Sequence, residues 1–528
     1  MATSTTTIRT TTTTCGAFAA ESDHGGLFGF PSLYAAYLAC RKRKRKTANA
    51  LRFEVDVLEN QRSLGEELSS GSYRPSRSVC FVTSVPKLRE IFAADFRDRV
   101  VHHLLVPRLE AIFEPKFIFD SYANRVGKGS HAAVLRLAAF MNRLTGNGRR
   151  PGWFMQLDIK SFFMSIDREI LFAILRRHVG APILLGLART ILDADCTANY
   201  LAKGDPALLG QVPPGKSLFH VGPGKGLPIG NLTSQFFANV YLNELDQFVK
   251  HELKCRFYLR YVDDFILLHE SPEMLLAMRR RIKAFLADRL ALELKPAPPV
   301  CKRVSEGSDF LGYIVRPDYL LVRNRVVGNL KDRLRRFRAR MVVDGAIGRD
   351  RYTALHLRRE TIVELRQVLA SYLGHFSHAS AFRLIRSLWA RHPWLADLFA
   401  IDQLGRLHPR YEPLAPRTLA EQYAWALHRC AGCLLFFQVG RFIEFFGEQA
   451  ERAVALFGLK IRGESRPSLG PCCGFPLARL RKCKKEALRR RLSYAVIGEA
   501  GQAAKRLKRR VLTEKVMFGG DRPVPLAA

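Results

Sequence analysis

Acidic residues are scarce in this chain: 48 Asp+Glu stand against 84 Lys+Arg, a formal charge of +36 over 528 residues. That balance points to a polyanion held along an extended surface, most simply nucleic acid, with an acidic membrane surface as the alternative. Long hydrophobic runs are missing too. No stretch approaches the roughly 18 apolar residues that cross a bilayer, and the N-terminal MATSTTTIRTTTTT lacks the apolar centre of a signal peptide. The expectation is a soluble, cytoplasmic protein with no membrane partner. The eleven cysteines are odd in number and scattered, which does not suit a secreted disulfide framework. Cys430 and Cys433 lack a second CxxC at zinc-binding spacing, so reduced thiols without zinc are expected. No internal repeat is visible. What is present is 48% hydrophobic residues, which excludes wholesale disorder, in a length of 528 residues that suggests three or four folding units with real cores.

Residues 1–26 are Thr/Ala/Ser/Gly-rich without apolar periodicity and read as a disordered arm. The run Arg41-Lys42-Arg43-Lys44-Arg45-Lys46 follows on an expected helix, where a localisation signal and a phosphate-binding face both fit. Over 80–320 short apolar runs alternate with helical stretches, the pattern of an α+β fold. Residues 321–401 read as helical and basic, 402–417 as a Pro/His/Arg-rich linker, and 418–528 as a last α/β unit with twelve Lys/Arg and two Glu in 481–510.

Three carboxylates sit where apolar strands end. WFMQLDIKSFF places Asp158 at the end of one strand, and FYLRYVDDFILL reads as two strands joined at a tight Val262-Asp263-Asp264 turn. Phosphoryl transfer to a hydroxyl uses two Mg²⁺ about 4 Å apart, and hard cations take carboxylate oxygens from a few rigid positions. A single Asp before an adjacent pair can supply them, although an Asp-Asp pair in a turn is commonly turn chemistry alone.

Tyr261-Val262-Asp263-Asp264 and LDIKSFF resemble the palm motifs of reverse transcriptases, with GKGLPIGNLTSQFFANVYLNELD at 224–246 between them in the family's order. The similarity extends from about Leu33 to Leu330 through VPKLREIFAADFRDRVVHH, SYANRVGKGSHAAV and DFLGYIV. The resemblance implies a right-hand polymerase: fingers and palm over 27–320 and a helical thumb over 321–401. It implies an RNA-directed DNA polymerase with Asp158, Asp263, Asp264 and the Ile159 carbonyl around two Mg²⁺, Mn²⁺ being possible. By the same route Lys87 and Arg89 hold the triphosphate, Arg125 and Lys128 touch template or triphosphate, and Phe163 stands where an aromatic blocks a ribose 2′-OH. The motif after the palm hairpin, LELKPAPPVCKR, leaves its lysine open between Lys295 and Lys302. The implied partners are template RNA, primer, cDNA and dNTPs.

Pro228-Ile229-Gly230 stands where most of that family carries Pro-Gln-Gly, and Ser234-Gln235 where it carries Ser-Pro. The string IGNLTSQ, with YAAYLACRKRKRK and RDRVVHH, resembles the reverse transcriptases of diversity-generating retroelements. An aliphatic Ile229 beside the nascent base pair cannot donate the hydrogen bonds of an amide, so looser selection is expected there, with Gly230 and Gln235 in the same nucleotide site. The subgroup implies error-prone copying of a template-repeat RNA, misincorporation opposite adenine, mutagenic retrohoming of the cDNA and a small basic accessory protein. A retron-like or defence-associated reverse transcriptase and a catalytically silent nucleic-acid-binding protein remain the alternatives.

In the last unit, Gly440-Arg441-Phe442-Ile443-Glu444 and PCCGFP at 471–476 resemble the mismatch-recognition domain of MutS over about 418–515. The resemblance implies Phe442 as a wedge against a mismatched base and Glu444 as its hydrogen-bonding partner. Arg441 departs from the family's usual acid. Gly210-Gln211-Val212-Pro213-Pro214-Gly215-Lys216-Ser217 matches the phosphate-loop pattern GxxxxGK[ST], but no apolar strand precedes it and two prolines remove N–H donors, so no nucleotide loop is expected.

Overall fold

The computed structural model describes residues 26–42, 47–84, 87–296, 300–403, 405–462, 468–504 and 507–519. The Thr-rich arm lies almost wholly outside the described residues, as do residues 43–46 of the basic run. The chain divides into two compact units, Met1–Glu306 and Gly307–Ala528.

The first unit is built around an antiparallel sheet in the order Phe257–Tyr261, Asp264–His269, Trp153–Asp158, Lys302–Arg303. Phe265, Ile266, Leu267 and Leu268 are all buried, a continuous apolar run that suits a strand covered on both faces. The helix Leu232–Gln247 is buried on nearly every side, which fits its even spread of apolar residues. Helix Pro272–Leu290 follows the second strand of the hairpin, with Pro272 in the first turn and Ser271 Oγ accepting from Met274 N–H at 3.1 Å. A smaller sheet pairs Ser78–Thr83 antiparallel with Arg89–Ala93 and parallel with Tyr200–Ala202.

The second unit holds a mixed sheet of seven strands: Val342–Ile347, Asp350–His356, Leu507–Phe518, Tyr494–Ala504, Leu434–Val439, Phe442–Phe446 and Cys472–Pro476. The stretch read as wholly helical thus contains a hairpin between helices Asn324–Met341 and Arg359–Phe376, and its second strand pairs with Leu507–Phe518. Leu330, Leu334, Phe337 and Leu365 of those helices share one core with Tyr423, Phe437, Ile497 and Leu512 of the last segment. The stretch read as a linker runs inside this unit: Leu407–Pro409 pairs with Phe399–Ile401, and Leu512 N–H donates to Tyr411 O. Basic residues on the helices' outer faces mask the apolar pattern that ties these pieces together.

No helix among the described residues is long and apolar enough to cross a membrane. Cys80, Cys196, Cys255, Cys301, Cys430, Cys473 and Cys483 are free thiols.

Candidate active site

The hairpin Phe257–Tyr261/Asp264–His269 turns through only two residues, Val262 and Asp263, since Tyr261 and Asp264 are register partners. Val262 has φ +57°, a conformation that two-residue hairpins usually give to Gly or Asn and that strains a β-branched residue. The strain is held by Arg260, whose guanidinium donates to Val262 O at 3.0 Å. Arg260 and Asp246 are both 0% exposed at the side chain and paired at 2.6 Å; Tyr258 OH donates to Asp246 at 2.7 Å and Arg260 to Ser121 Oγ at 3.1 Å. A buried ion pair with its remaining groups satisfied thus fixes the turn that carries Asp263.

Asp158 ends its strand directly opposite Asp264, so the expected carboxylates meet at one end of the sheet. Burial and the neighbouring Asp158 push the Asp263 carboxyl above the usual range. Burial, Asp158 and Asp263 push Asp264 to about 6. Lys87 and Arg89 act on Asp263 in the opposite sense, and Lys87 and Lys295 on Asp264, which places these cations in the field of the carboxylates. Of the two lysines left open by the sequence, Lys295 is the one at the carboxylates: its Nζ lies 3.2 Å from Asp158 Oδ2 and its N–H donates to Asp158 O. Lys302 lies opposite Phe154, away from the carboxylate end of that strand. Ile159 is buried and bridges Leu294.

Among the described residues no three metal-ligating side chains already stand close enough to enclose an ion. The donor set still fits a hard divalent cation: acidic oxygens at the end of one rigid sheet, partly desolvated and repelling one another until positive charge arrives. Asp264 makes a pH prediction. Its raised folded value means that it binds a proton as pH falls through about 6, so the Mg²⁺ concentration for half-maximal activity should rise between pH 7.5 and 6. The same shift lowers the stability of the metal-free fold above that pH, where the unfolded chain carries the charge in water, and this penalty fades below it. A titration of Mg²⁺ dependence at several pH values checks the first, and pH-dependent unfolding in EDTA the second.

Phe163 and Ile229 are brought together against a small apolar cluster of Cys80, Phe92, Met164 and Leu218. Phe92 N–H donates to Ile229 O at 3.0 Å and Ala94 N–H to Asn231 Oδ1 at 3.0 Å, so the strand that carries Arg89 is fastened to the Ile229 segment. Gly230 is needed for this approach: its φ is +125°, and a Cβ would stand 2.9 Å from Ile91 Cγ2 and 3.2 Å from Phe92 O. Gln235 is half-buried on the helix Leu232–Gln247 that follows.

Arg125 and Lys128 are occupied within their own segment. The Arg125 side chain, 7% exposed, binds Glu114 at 2.9 Å and donates to Ile118 O and Ser121 O. Lys128 Nζ donates to Phe119 O at 2.9 Å and sits 3.3 Å from the Phe119 ring centroid. A nucleotide would have to compete with these contacts.

Sequence reasoning missed Glu90. It is 1% exposed and accepts from Ser217 Oγ at 2.7 Å and Leu218 N–H at 2.9 Å. The end of the phosphate-loop-like string therefore binds an anion, but a carboxylate of the protein itself. The period-two pattern that buries Phe92 also turns Glu90 inward, and that inward acid was the available signal. This clasp seats Leu218 behind Phe163 and Ile229. Glu90→Gln replaces one acceptor oxygen by a donor and orphans a buried N–H or O–H, at about 1–3 kcal/mol. The expected result in steady-state primer extension is a raised KM for dNTP with kcat held within about twofold, together with a lowered unfolding midpoint.

In the second unit, Phe442 and Glu444 lie two apart on a strand and share the sheet face of Phe437 and Phe446, opposite Ile443 and Phe445. Phe442 is 41% exposed. Gly474 lies opposite Glu444, where a Cβ would meet Ile443 O at 2.5 Å. The turn before Phe442 is latched by Glu499, which accepts from Gly440 N–H at 2.8 Å and pairs with Arg510 and Lys508.

Residues 83–315 match the family described as reverse transcriptase (RNA-dependent DNA polymerase), and residues 417–518 match MutS domain I. Protein YkfC of Escherichia coli K12 is 26% identical over 313 residues, 52% of this chain and 77% of that protein. The group II intron-encoded protein LtrA of Lactococcus lactis subsp. cremoris is 22% identical over 324 residues, 49% of this chain and 50% of that protein. The chain thus spans about half of LtrA's length. Among solved structures, apo telomerase from Candida tropicalis, truncated from its C-terminal domain, aligns at 11% identity with a TM-score of 0.34, over 51% of this chain and 60% of that one. With the paired carboxylates on their strained hairpin inside the first matched segment, the chain is an enzyme that carries a reverse transcriptase domain, an RNA-directed DNA polymerase, followed by MutS domain I.

Proposed function

We propose that this enzyme is the error-prone reverse transcriptase of a diversity-generating retroelement, copying a template-repeat RNA into adenine-mutagenised cDNA for mutagenic retrohoming. The observation that carries the reading is Ile229, an aliphatic side chain in the Pro228-Ile229-Gly230 segment, packed with Phe163 on one cluster and fastened to the strand of Arg89. With no amide there, one hydrogen-bond donor that would discriminate among base pairs is missing.

Asp158, Asp263 and Asp264, with the Ile159 carbonyl, would hold two Mg²⁺ (or Mn²⁺), which supply Lewis-acid charge to the transferring phosphoryl group. Lys87 and Arg89 set fixed positive charge beside the carboxylates, where a triphosphate would lie. Lys295 balances Asp158 in the free enzyme. Phe163 offers an apolar wall against a ribose 2′-OH. Phe442 and Glu444 would engage mismatched duplex formed with the mutated cDNA. A small basic accessory protein belongs to the same proposal, as does a cytoplasmic location. An intron-serving reverse transcriptase is the reading that LtrA's name would favour.

The test is primer extension on an adenine-containing RNA with four dNTPs and Mg²⁺, with the products sequenced. Errors concentrated opposite adenine are expected, falling about fivefold to tenfold in Ile229→Gln as one hydrogen bond is restored. Accurate copying by the unaltered enzyme would remove the diversifying role and leave the polymerase.

A further inference from the structure

The cation-rich stretch after 480 lies in the second unit, outside the segment that carries the carboxylates. Its helix, Leu480–Arg489, packs Cys483 and Ala487 with Leu480 and Leu488 against the sheet core of Ile443, Phe445 and Phe475. That is the face opposite Phe442 and Glu444. Arg481, Lys482, Lys485 and Arg489 are exposed on the helix's other side. At about 1.5 Å rise per residue, Arg481, Lys485 and Arg489 follow one another every 6 Å or so along a single stripe.

Several other cations of this unit are matched by carboxylates, as Arg338 is by Asp344, Arg340 by Glu364 and Lys515 by Asp397. On this helix Lys484 takes Glu514, while Glu486 serves Arg490 and Arg489. Arg481, Lys482 and Lys485 have no carboxylate partner among the described residues. The helix's first turn contains no acid and has two cations instead, against the macrodipole, and the spacing of Arg481 and Lys485 sets like charges side by side. Each feature lowers helix stability by a few tenths of a kcal/mol and does nothing for the core.

We propose that this stripe binds the phosphodiester backbone of a nucleic-acid strand, so that the MutS-like sheet holds one nucleic-acid segment on its back while Phe442 faces another on its front. The chemistry at hand is charge alone. No aromatic side chain lies among the exposed residues from Arg479 to Arg491, so bases have nothing to stack on and binding is sequence-independent. The spacing suits successive phosphates of an extended strand. The two faces cannot serve the same stretch of one strand.

The test uses the full chain with its polymerase site already filled by a chain-terminated primer–template and the next dNTP. Fluorescent 20-nucleotide RNA, the same DNA strand and a 20-base-pair duplex are then titrated in between about 50 and 200 mM salt. A second binding event is expected in the unaltered protein. The variant Arg481→Gln/Lys482→Gln/Lys485→Gln should lose on the order of tenfold in affinity, and its salt slope on duplex should fall by about 2 to 3, near 0.9 per phosphate contact. Its unfolding midpoint should stay or rise, since like-charge repulsion is removed. Comparison of the three probes tells RNA from DNA as the preferred source of the backbone. The proposal is overturned by no second event, or by equal affinity and slope in variant and parent on all three probes.

Discussion

Asp263→Asn is expected to reduce primer extension by at least about a thousandfold while leaving the fold intact or slightly more stable. Asparagine is nearly the same shape, and it removes a charge that burial and Asp158 both disfavour, so the hairpin gains by the exchange. What disappears is an anionic oxygen at the place where divalent cations must bind, an effect of several kcal/mol on the transition state. Extension rates on a preformed primer–template, read beside thermal unfolding in EDTA, separate the two consequences. Activity within tenfold of the parent would show that Asp263 is turn chemistry and that the catalytic carboxylates lie elsewhere.

Asp246→Ala should do the reverse, unfolding the palm before any question of chemistry arises. Removal of this carboxylate leaves the fully buried Arg260 guanidinium without its partner and takes the acceptor from Tyr258 OH. Breaking a buried pair from one side costs about 3–5 kcal/mol. Val262 is the local casualty, because Arg260 is the donor that holds its carbonyl in a conformation unfavourable for valine. A drop in unfolding midpoint on the order of 10 °C is expected. Asp246→Asn, which still accepts from Arg260 and Tyr258, should retain part of that loss. A midpoint within 2 °C or so of the parent for the alanine variant would mean that water reaches the guanidinium and that the pair does not control the turn.

The carboxylates were legible in the sequence because each follows an apolar run that can only be a strand, and strand ends put their last side chains in one place. Lys295 was not separable from Lys302, since the choice depends on where the chain after Leu294 lies against Asp158, a contact between residues far apart in sequence. Arg260 and Asp246 carry no motif that singles them out in the sequence; only the pairing of the strand with the helix buries them together. Glu90 and Ser217 are likewise joined by packing, and the phosphate-loop pattern around Ser217 misdirects any reading by motif alone. The stretches expected as thumb and terminal domain share a sheet, and the linker stretch packs on their common core, because a two-strand insertion with Gly345 under the Tyr352 ring gives little local signal beside so many arginines. Arg125 and Lys128 show the limit in the other direction: the motif located a real loop, whose cations bind that loop.

The place of Leu507–Phe518 in the seven-stranded sheet sets a timetable for the nascent chain. This strand joins Asp350–His356 to Tyr494–Ala504, so neither half of the sheet can close on the other until residue 518 has been made. The first unit is complete at Glu306, about 200 residues earlier. At about 5–20 residues per second that interval is roughly 10–40 s, during which the Asp350–His356 edge of the hairpin and the strands of the MutS-like segment emerge without the strand that joins them. Folding of the second unit is therefore a late event in synthesis, and it is the stage at which a growing chain of this protein would be most dependent on a chaperone.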